Sequence, residues 1–205
     1  MGILIAEEEK MEFDKTTTFK NLASSFASEC QAGMRYQMIA QKALQQGYQT
    51  LSDEIKKIAK NETVHATRFF DLLTQNNGNM KSVPVNAGFP FENGTVEEML
   101  AFAIDSETNE SERIYPEFAS VASSEGFEEI ADTFRMTAEV EAHHKKIFEY
   151  LKERFESGTL FKNNVPKTYT CSKCGHEITA NDAFQVCPLC KASQGFVNIV
   201  LPENL

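Results

Sequence analysis

The sequence predicts a mainly α-helical protein: a four-helix bundle followed by a small C-terminal domain of short β pieces and cysteine knuckles. Three observations predict it. Apolar residues recur at helical spacing through four long segments between residues 18 and 158. A stretch rich in Asn, Gly and Pro, residues 75–94, separates the second segment from the third. A bundle with one long crossover needs such a connection. Beyond Gly158 the composition changes, and four of the five cysteines crowd into 20 residues. A chain of 205 residues has room for one bundle and one small domain.

Residues 1–17 form an acidic extension without periodicity, disordered or lightly docked. Its first six residues are apolar, but Glu7, Glu8 and Glu9 follow at once and no basic region precedes them, so no secretory signal is expected. A myristoylation start would want Ser or Thr where Ala6 stands. The first helix begins at Thr16–Thr18, which suit an N-cap, and ends near Gly47. Its inner face is Phe19, Leu22, Phe26, Glu29, Ala32, Met34, Tyr36 and Ile39. The second runs from about Ser52 to Thr74, with Leu51, Ile55, Ile58, Ala59, Val64, Phe69, Leu72 and Leu73 as core.

The third helix starts at Thr95, where Thr95 and Glu98 fit a capping box. It ends near Gly126, and Pro116 should kink it. The fourth runs from about Phe127 to Ser157, with Ile130, Phe134, Ala138, Glu141, His144, Phe148 and Leu151 facing inward and Gly158 as a C′ residue. The bundle domain is thus 18–158, a linker with Pro166 spans 159–168, and the second domain is 169–205. Lys167–Thr170 and Phe196–Leu201 are its β pieces.

The net charge is −10, from 30 acidic and 20 basic residues, which argues against a nucleic-acid partner or an anionic membrane surface. No apolar run approaches membrane-spanning length. Three N-x-[ST] sequons occur, at Asn61, Asn93 and Asn109, and two of them enclose candidate ligands, so they read as chance matches in a cytosolic chain.

The chemistry lies in a repeat. Glu62-Thr63-Val64-His65 and Glu141-Ala142-His143-His144 each place a carboxylate and an imidazole on one helix face. Glu29 and Glu107 precede these pairs by 33 and 34 residues. Carboxylate oxygen with imidazole nitrogen suits Fe²⁺ or Mn²⁺. Buried carboxylates without a cation would cost several kcal/mol each, to order of magnitude. For a two-metal site, Glu62 and Glu141 are suited to bridge, Glu29 and Glu107 to be terminal, and His65 and His144 to supply one nitrogen on each side. Glu110, one turn beyond Glu107, breaks the symmetry as an additional ligand. His143 lacks a Glu three residues before it and is expected at the surface or behind the ligands. Tyr36 and Tyr115 stand about two turns from Glu29 and Glu107, as hydrogen-bond donors to the ligands or as plain core. Cys30 is expected to be buried and inert.

Cys171-x-x-Cys174 and Cys187-x-x-Cys190, 12 residues apart, make a tetrahedral four-sulfur site. Spacing alone leaves zinc and a single iron equally open. Gly175, Pro188 and the aromatic residues Tyr169, Phe184 and Phe196 favour iron, and an attached one-electron carrier makes sense beside a di-iron domain. Paired knuckles read as metal-binding and imply a reducing compartment, hence a cytoplasmic protein.

These motifs, over roughly residues 18–205, resemble the rubrerythrins. The resemblance rests on Glu29 within Ser-Glu-Cys-Gln-Ala, Glu62-Thr-Val-His65, Glu107-Thr-Asn-Glu110 followed by Tyr115-Pro116, Glu141-Ala-His-His144 and both knuckles. Lys191 stands where a glycine often follows such a knuckle. The resemblance implies a ferritin-like di-iron bundle and a rubredoxin-like Fe(Cys)4 domain, in which zinc can substitute. It also implies a peroxidase that reduces hydrogen peroxide to water in oxidative-stress defence. Its catalytic residues would be Glu110 and His65, which exchange at one iron on reduction, with Tyr36 relaying protons. A homodimer or higher oligomer with electron transfer between subunits is implied too. No dinucleotide fingerprint is present, so electrons would come from an external NAD(P)H-linked reductase or a rubredoxin. Two other readings compete: a ferroxidase or iron-handling protein, and a zinc-ribbon interaction protein with a purely structural bundle.

Overall fold

The computed structural model describes residues 12–76, 82–202 and 205; the apolar start and Glu7–Glu9 lie outside them. A single 3-10 turn, Phe13–Lys15, leads in. Phe13 sets its ring edge-on against Phe19 and Phe127, at 5.6 and 5.2 Å, so this end of the expected extension is docked on the bundle.

Helix α1 is Thr17–Gln45, and its start is doubly secured. Thr16 Oγ1 accepts the Phe19 N–H at 3.0 Å. The Glu125 carboxylate accepts the N–H groups of Thr17 and Thr18 at 2.9 and 2.8 Å. Helix α2 is Gln49–Asn76. It starts three residues earlier than the apolar pattern suggests, because Gly47 at φ 89° turns the chain within a short connection.

Residues 82–95 cross to α3, Val96–Asn109. The Thr95–Glu98 capping box is present in both directions, at 2.7 and 3.3 Å. The expected single kinked helix is instead three pieces: α3, a π-helical segment Glu110–Ile114, and α4, Tyr115–Ser124. Pro116 has no N–H for a carbonyl one turn back, so it sits in the first turn of a new helix, and Tyr115 N–H reaches the Glu110 carbonyl across the wider loop. Helix α5 is Glu128–Glu156.

Four buried faces meet in two apolar layers. One holds Tyr36, Ile39, Leu51, Ile55, Leu100, Phe148 and Leu151. The other holds Leu22, Phe69, Leu72, Tyr115, Ile130 and Phe134. Along every long helix the buried glutamates fall between these layers. Two expected core residues do not belong to either: Met34 and Val64 are 53% and 59% exposed. Each satisfies a loose apolar pattern but lies well round the helix from the buried Glu29 and Glu62 that fix the inward direction.

After α5, Gly158 adopts φ 63°, and the strand β1, Lys162–Thr170, pairs antiparallel with β2, Glu177–Asp182. β1 therefore covers most of the segment read as a linker, with Pro166 inside the register irregularity between Lys162 and Lys167. The Phe196–Leu201 piece is not a strand: it starts in a 3-10 turn, Gln194–Phe196, and makes one isolated bridge, Val197 to Cys171. Its residues serve the bundle instead. Phe161, Tyr169, Val197 and Ile199 share one core with Ile39, Leu51 and Leu151. Thr50 Oγ1 donates to the Val197 carbonyl at 2.6 Å, and Tyr150 Oη to the Val200 carbonyl at 2.9 Å. Gly195 packs so close to the Gly47 carbonyl that a Cβ there would collide with it.

Candidate metal centres

The helices bring the expected bundle residues together in two overlapping groups. Donor atoms of Glu29, Glu62, His65 and Glu141 lie within 4.8 Å of one another, and so do those of Glu62, Glu107, Glu141 and His144. Glu62 and Glu141 belong to both groups, and the other four divide between them. His65 Nδ1 is 2.9 Å from Glu141 and 3.5 Å from Glu29. His144 Nδ1 is 2.7 Å from Glu141, 3.0 Å from Glu62 and 4.0 Å from Glu107. The rings stack at 5.9 Å between centroids. His143 is exposed and takes no part.

This cluster fits cations. Glu29, Glu62, Glu107 and Glu141 are buried, and each has one carboxylate oxygen with no hydrogen bond of good geometry, facing an imidazole Nδ1 at 3.5, 3.0, 4.0 and 2.9 Å respectively. Such orphaned oxygens are expensive unless a cation or proton neutralises them. Without metal, protons must do it. Burial, then the neighbouring carboxylates, pushes Glu107 well above the usual range. Burial also pushes Glu29 up, against the pull of His65. Burial works against charge on both imidazoles too, but the glutamates outweigh it: Glu141, Glu29 and Glu62 raise His65 to about 12, and Glu141 and Glu62 raise His144 to about 9. Glu62 goes the other way, to about 2, because the two imidazoles overcome its burial.

Tyr36 and Tyr115 are buried, and each donates to a carboxylate on the opposite side of the bundle. Tyr36 of α1 bonds Glu107 of α3, and Tyr115 of α4 bonds Glu29 of α1. The two tyrosines are thus exchanged relative to the glutamates they follow in sequence. Gly33 allows the close approach of α1 and α2 beside the site: a Cβ there would lie 3.2 Å from the Ala59 carbonyl and 3.4 Å from the Glu62 Cβ.

Glu110 stands apart from both groups. It is buried at the start of the π segment, with Oε1 accepting from Ser28 Oγ at 2.9 Å. Burial and the charge of Glu141 raise its carboxyl to about 7. It borders a cavity of about 320 Å3 beneath residues 87–90 of the crossover, whose wall includes Ser25, Ser28, Gln31 and Arg35. Ser25 Oγ, Gln31 Oε1 and Arg35 Nε on that wall are buried without a hydrogen-bond partner.

Sequence reasoning missed Ser28 and Asn61. Ser28 meets Glu110 across 82 residues, which no local pattern signals. The Asn61 amide lies 3.2 Å from His144 Nε2, and its position next to Glu62 was the available hint. Cys30, expected to be buried, is exposed, because it is one residue past the inward-facing Glu29 and turns about 100° away.

The four C-terminal cysteines form the second centre. Their sulfurs lie within 4.8 Å of one another, with Cys171–Cys190 at 3.7 Å and Cys174–Cys187 at 3.6 Å. A tetrahedron with metal–sulfur bonds of about 2.3 Å has edges of about 3.8 Å, so the site fits one thiophilic ion. The knuckles match. Gly175 N–H and Lys191 N–H return to the carbonyls of Cys171 and Cys187 at 2.8 and 3.0 Å, with φ of 74° and 63°. Lys191 thus occupies a left-handed position that favours glycine; its Nζ donates to the Pro188 carbonyl at 2.9 Å. Phe184 and Phe196 pack beside the sulfurs, whereas Tyr169 belongs to the core shared with the bundle.

Fold and donor sets define a class: a ferritin-like di-iron carboxylate protein with an attached four-cysteine site. Within it, the chain belongs to the rubrerythrin family. The rubrerythrin family model matches residues 20–152 and 98–178. The chain is 36% identical over 185 residues to a rubrerythrin of Clostridium perfringens, covering 90% of this chain and 94% of that one. It is 35% identical over 194 residues to a rubrerythrin of Porphyromonas gingivalis, covering 92% and 94%. Fully reduced nigerythrin superposes with a TM-score of 0.60 at 21% identity, covering 89% of this chain and 86% of that one. A Desulfovibrio desulfuricans bacterioferritin superposes at 0.62 and 21%, covering 69% and 81%. These structures share the fold. Among the described residues, no helix is long and apolar enough to cross a membrane.

Proposed function

We propose that the protein is a non-haem di-iron peroxidase that reduces hydrogen peroxide to water in the cytoplasm. The observation that carries this reading is the pair of donor groups sharing Glu62 and Glu141. That arrangement suits two ions side by side, with Glu29 and His65 on one and Glu107 and His144 on the other. When bound, the two irons supply one electron each, the two equivalents that cleavage of one O–O bond consumes. Two protons complete the balance, giving two waters.

The chain's own residues would hold the ions, admit the substrate and move the protons. The two apolar layers enclose the cluster from both ends and exclude bulk water. The cavity beside Glu110 is the side from which a small polar oxidant would arrive. With its carboxyl raised to about 7, Glu110 carries a proton near neutral pH and faces that cavity, so it is suited to protonate a departing oxygen. Tyr36 and Tyr115 hold Glu107 and Glu29 in place, and Tyr36 can pass a proton through Glu107. His65 is the more exposed imidazole, at 14% against 1% for His144, which supports it as the residue that exchanges with Glu110 on reduction.

Electrons would enter through the four-cysteine iron from an external NAD(P)H-linked reductase or a rubredoxin. The C-terminal domain rests on the start of α2 at Thr50, and Glu62 lies twelve residues further along that helix. At a rise of about 1.5 Å per residue that is roughly 18 Å. Delivery from the cysteine centre of a second subunit is part of the same proposal.

Metal analysis with visible spectroscopy tests the reading. The reduced protein should lose its iron–thiolate colour and regain it on adding peroxide. Zinc alone at the four cysteines after growth with ample iron would overturn it. Glu110→Ala should slow peroxide turnover and leave the Fe(Cys)4 spectrum unchanged.

A further inference from the structure

The two halves of the bundle centre repeat one pattern but support their histidines differently. In both, Nδ1 faces the carboxylates, so Nδ1 is the atom placed to meet a metal. That leaves Nε2 of each ring to be satisfied from outside. For His144 the partner is Asn61 of α2, whose side-chain Nδ2 lies 3.2 Å from Nε2, so that turning the amide over puts Oδ1 in the same place. Asn61 reaches across the bundle from the residue just before Glu62. For His65 the matching place, just before Glu141, is Val140, which offers no hydrogen-bonding group. Among the described residues, every polar contact of His65 is made by Nδ1, and Nε2 has no protein partner.

We infer that Asn61 is the positioning residue that fixes His144 as a permanent ligand, and that Val140 leaves His65 free to leave and return. The inference rests on the reading of these histidines as ligands and goes beyond it, because it says which residue makes one stay and the other move. Once Nδ1 gives its lone pair to an ion, Nε2 must carry the ring proton. An amide with its oxygen turned to the ring then accepts that proton's hydrogen bond. This locks the tautomer and the ring plane, the role that partners behind metal-bound histidines play. The difference in exposure, 1% for His144 and 14% for His65, goes the same way.

The test is a residue exchange between the halves, read by chelator-driven loss of Fe²⁺ from the reduced, fully loaded protein. The wild type should release its two bundle irons in two phases, the faster from the His65 side. Asn61→Leu should speed the slow phase by about 10-fold or more, since removing such a partner typically costs 10–100-fold in metal affinity. Asn61→Asp keeps an acceptor and should restore the slow phase. Val140→Asn should slow the fast phase by giving His65 an acceptor. The Fe(Cys)4 spectrum and the melting temperature report the fold in each variant. Unchanged release from Asn61→Leu, or release from Asn61→Asp as fast as from Asn61→Leu, would overturn the role of Asn61. Unchanged release from Val140→Asn would overturn the explanation of the asymmetry. A wild type holding fewer than two bundle irons would refute the ligand reading itself, a distinct failure.

Discussion

The two metal centres are built by opposite means. The bundle centre draws carboxylates and imidazoles from four helices, and its supporting contacts join residues 71 and 86 positions apart. The cysteine centre lies within two local turns, whose geometry is set by backbone hydrogen bonds such as Gly175 N–H to Cys171 C=O. The first concentrates buried charge that the fold alone leaves unneutralised. The second is a pair of preformed knuckles whose thiols need only lose protons to bind an ion. Metal should therefore matter to the bundle as an electrostatic counterweight, and to the knuckles as a clasp.

The largest expected effect would break the bundle centre as a unit. Glu62 faces both imidazoles and belongs to both donor groups. Glu62→Ala should lose both bundle irons, with affinity falling by more than the roughly 100-fold that an outer partner alone can cost. Iron at the four cysteines should remain, as quantified by its thiolate absorbance. Loss of only one bundle iron would show that the two groups do not share this residue.

pH sharpens the same contrast. Glu110 has a carboxyl pushed up to about 7, and Glu29 and Glu107 are pushed well above the usual range. A raised carboxyl binds more protons folded than unfolded, so stability declines as pH rises past its ordinary value of 4.5. His144 and His65, raised to about 9 and about 12, stabilise fully below 6.5, and that contribution fades as pH climbs through those values. Glu62, lowered to about 2, changes only in acid. The metal-stripped protein should therefore lose melting temperature steadily from pH 5 to 9. The iron-loaded protein should show a flatter profile, since metal replaces the protons.

A smaller effect probes the crossed tyrosines. Tyr115→Phe leaves a buried Glu29 oxygen without its donor, a cost of about 1–3 kcal/mol. In a chain of this size the melting temperature should fall by about 2–12 °C. Tyr36→Phe should cost a similar amount through Glu107, and a much larger loss at one than at the other would break the pseudo-symmetry. The smallest effect belongs to the knuckles. Lys191→Gly relieves a left-handed residue and should stabilise by roughly 1 kcal/mol, measured by denaturant unfolding of the holoprotein. Any destabilisation would mean that the Lys191 Nζ bond to Pro188 outweighs the strain.

The sequence carried the helices, the crossover, both Glu-x-x-His pairs and all four cysteines, because each is a local pattern with a period or a spacing. What it concealed was set by packing. The π segment follows from Pro116 only once the Glu110 carbonyl has found Tyr115 N–H, and that segment turns Glu110 toward Ser28. Met34 and Val64 fit a helical apolar pattern and Cys30 is of a type commonly buried, but the buried glutamates decide which face looks inward. β2 carries polar or small residues at every position but Ile178, so nothing in it signals a strand until β1 lies alongside. Asn61 matters because of a ring 83 residues away.

Peroxide oxidation of the fully reduced protein tests the central claim most directly, followed anaerobically by stopped-flow at the iron–thiolate absorbance. Three ferrous ions per chain give up three electrons and each peroxide takes two, so the account predicts that a small excess of hydrogen peroxide restores colour quickly in the wild type and slowly in Glu110→Ala. A colour that returns at the same rate in both, or that returns with oxygen but not with peroxide, would contradict it.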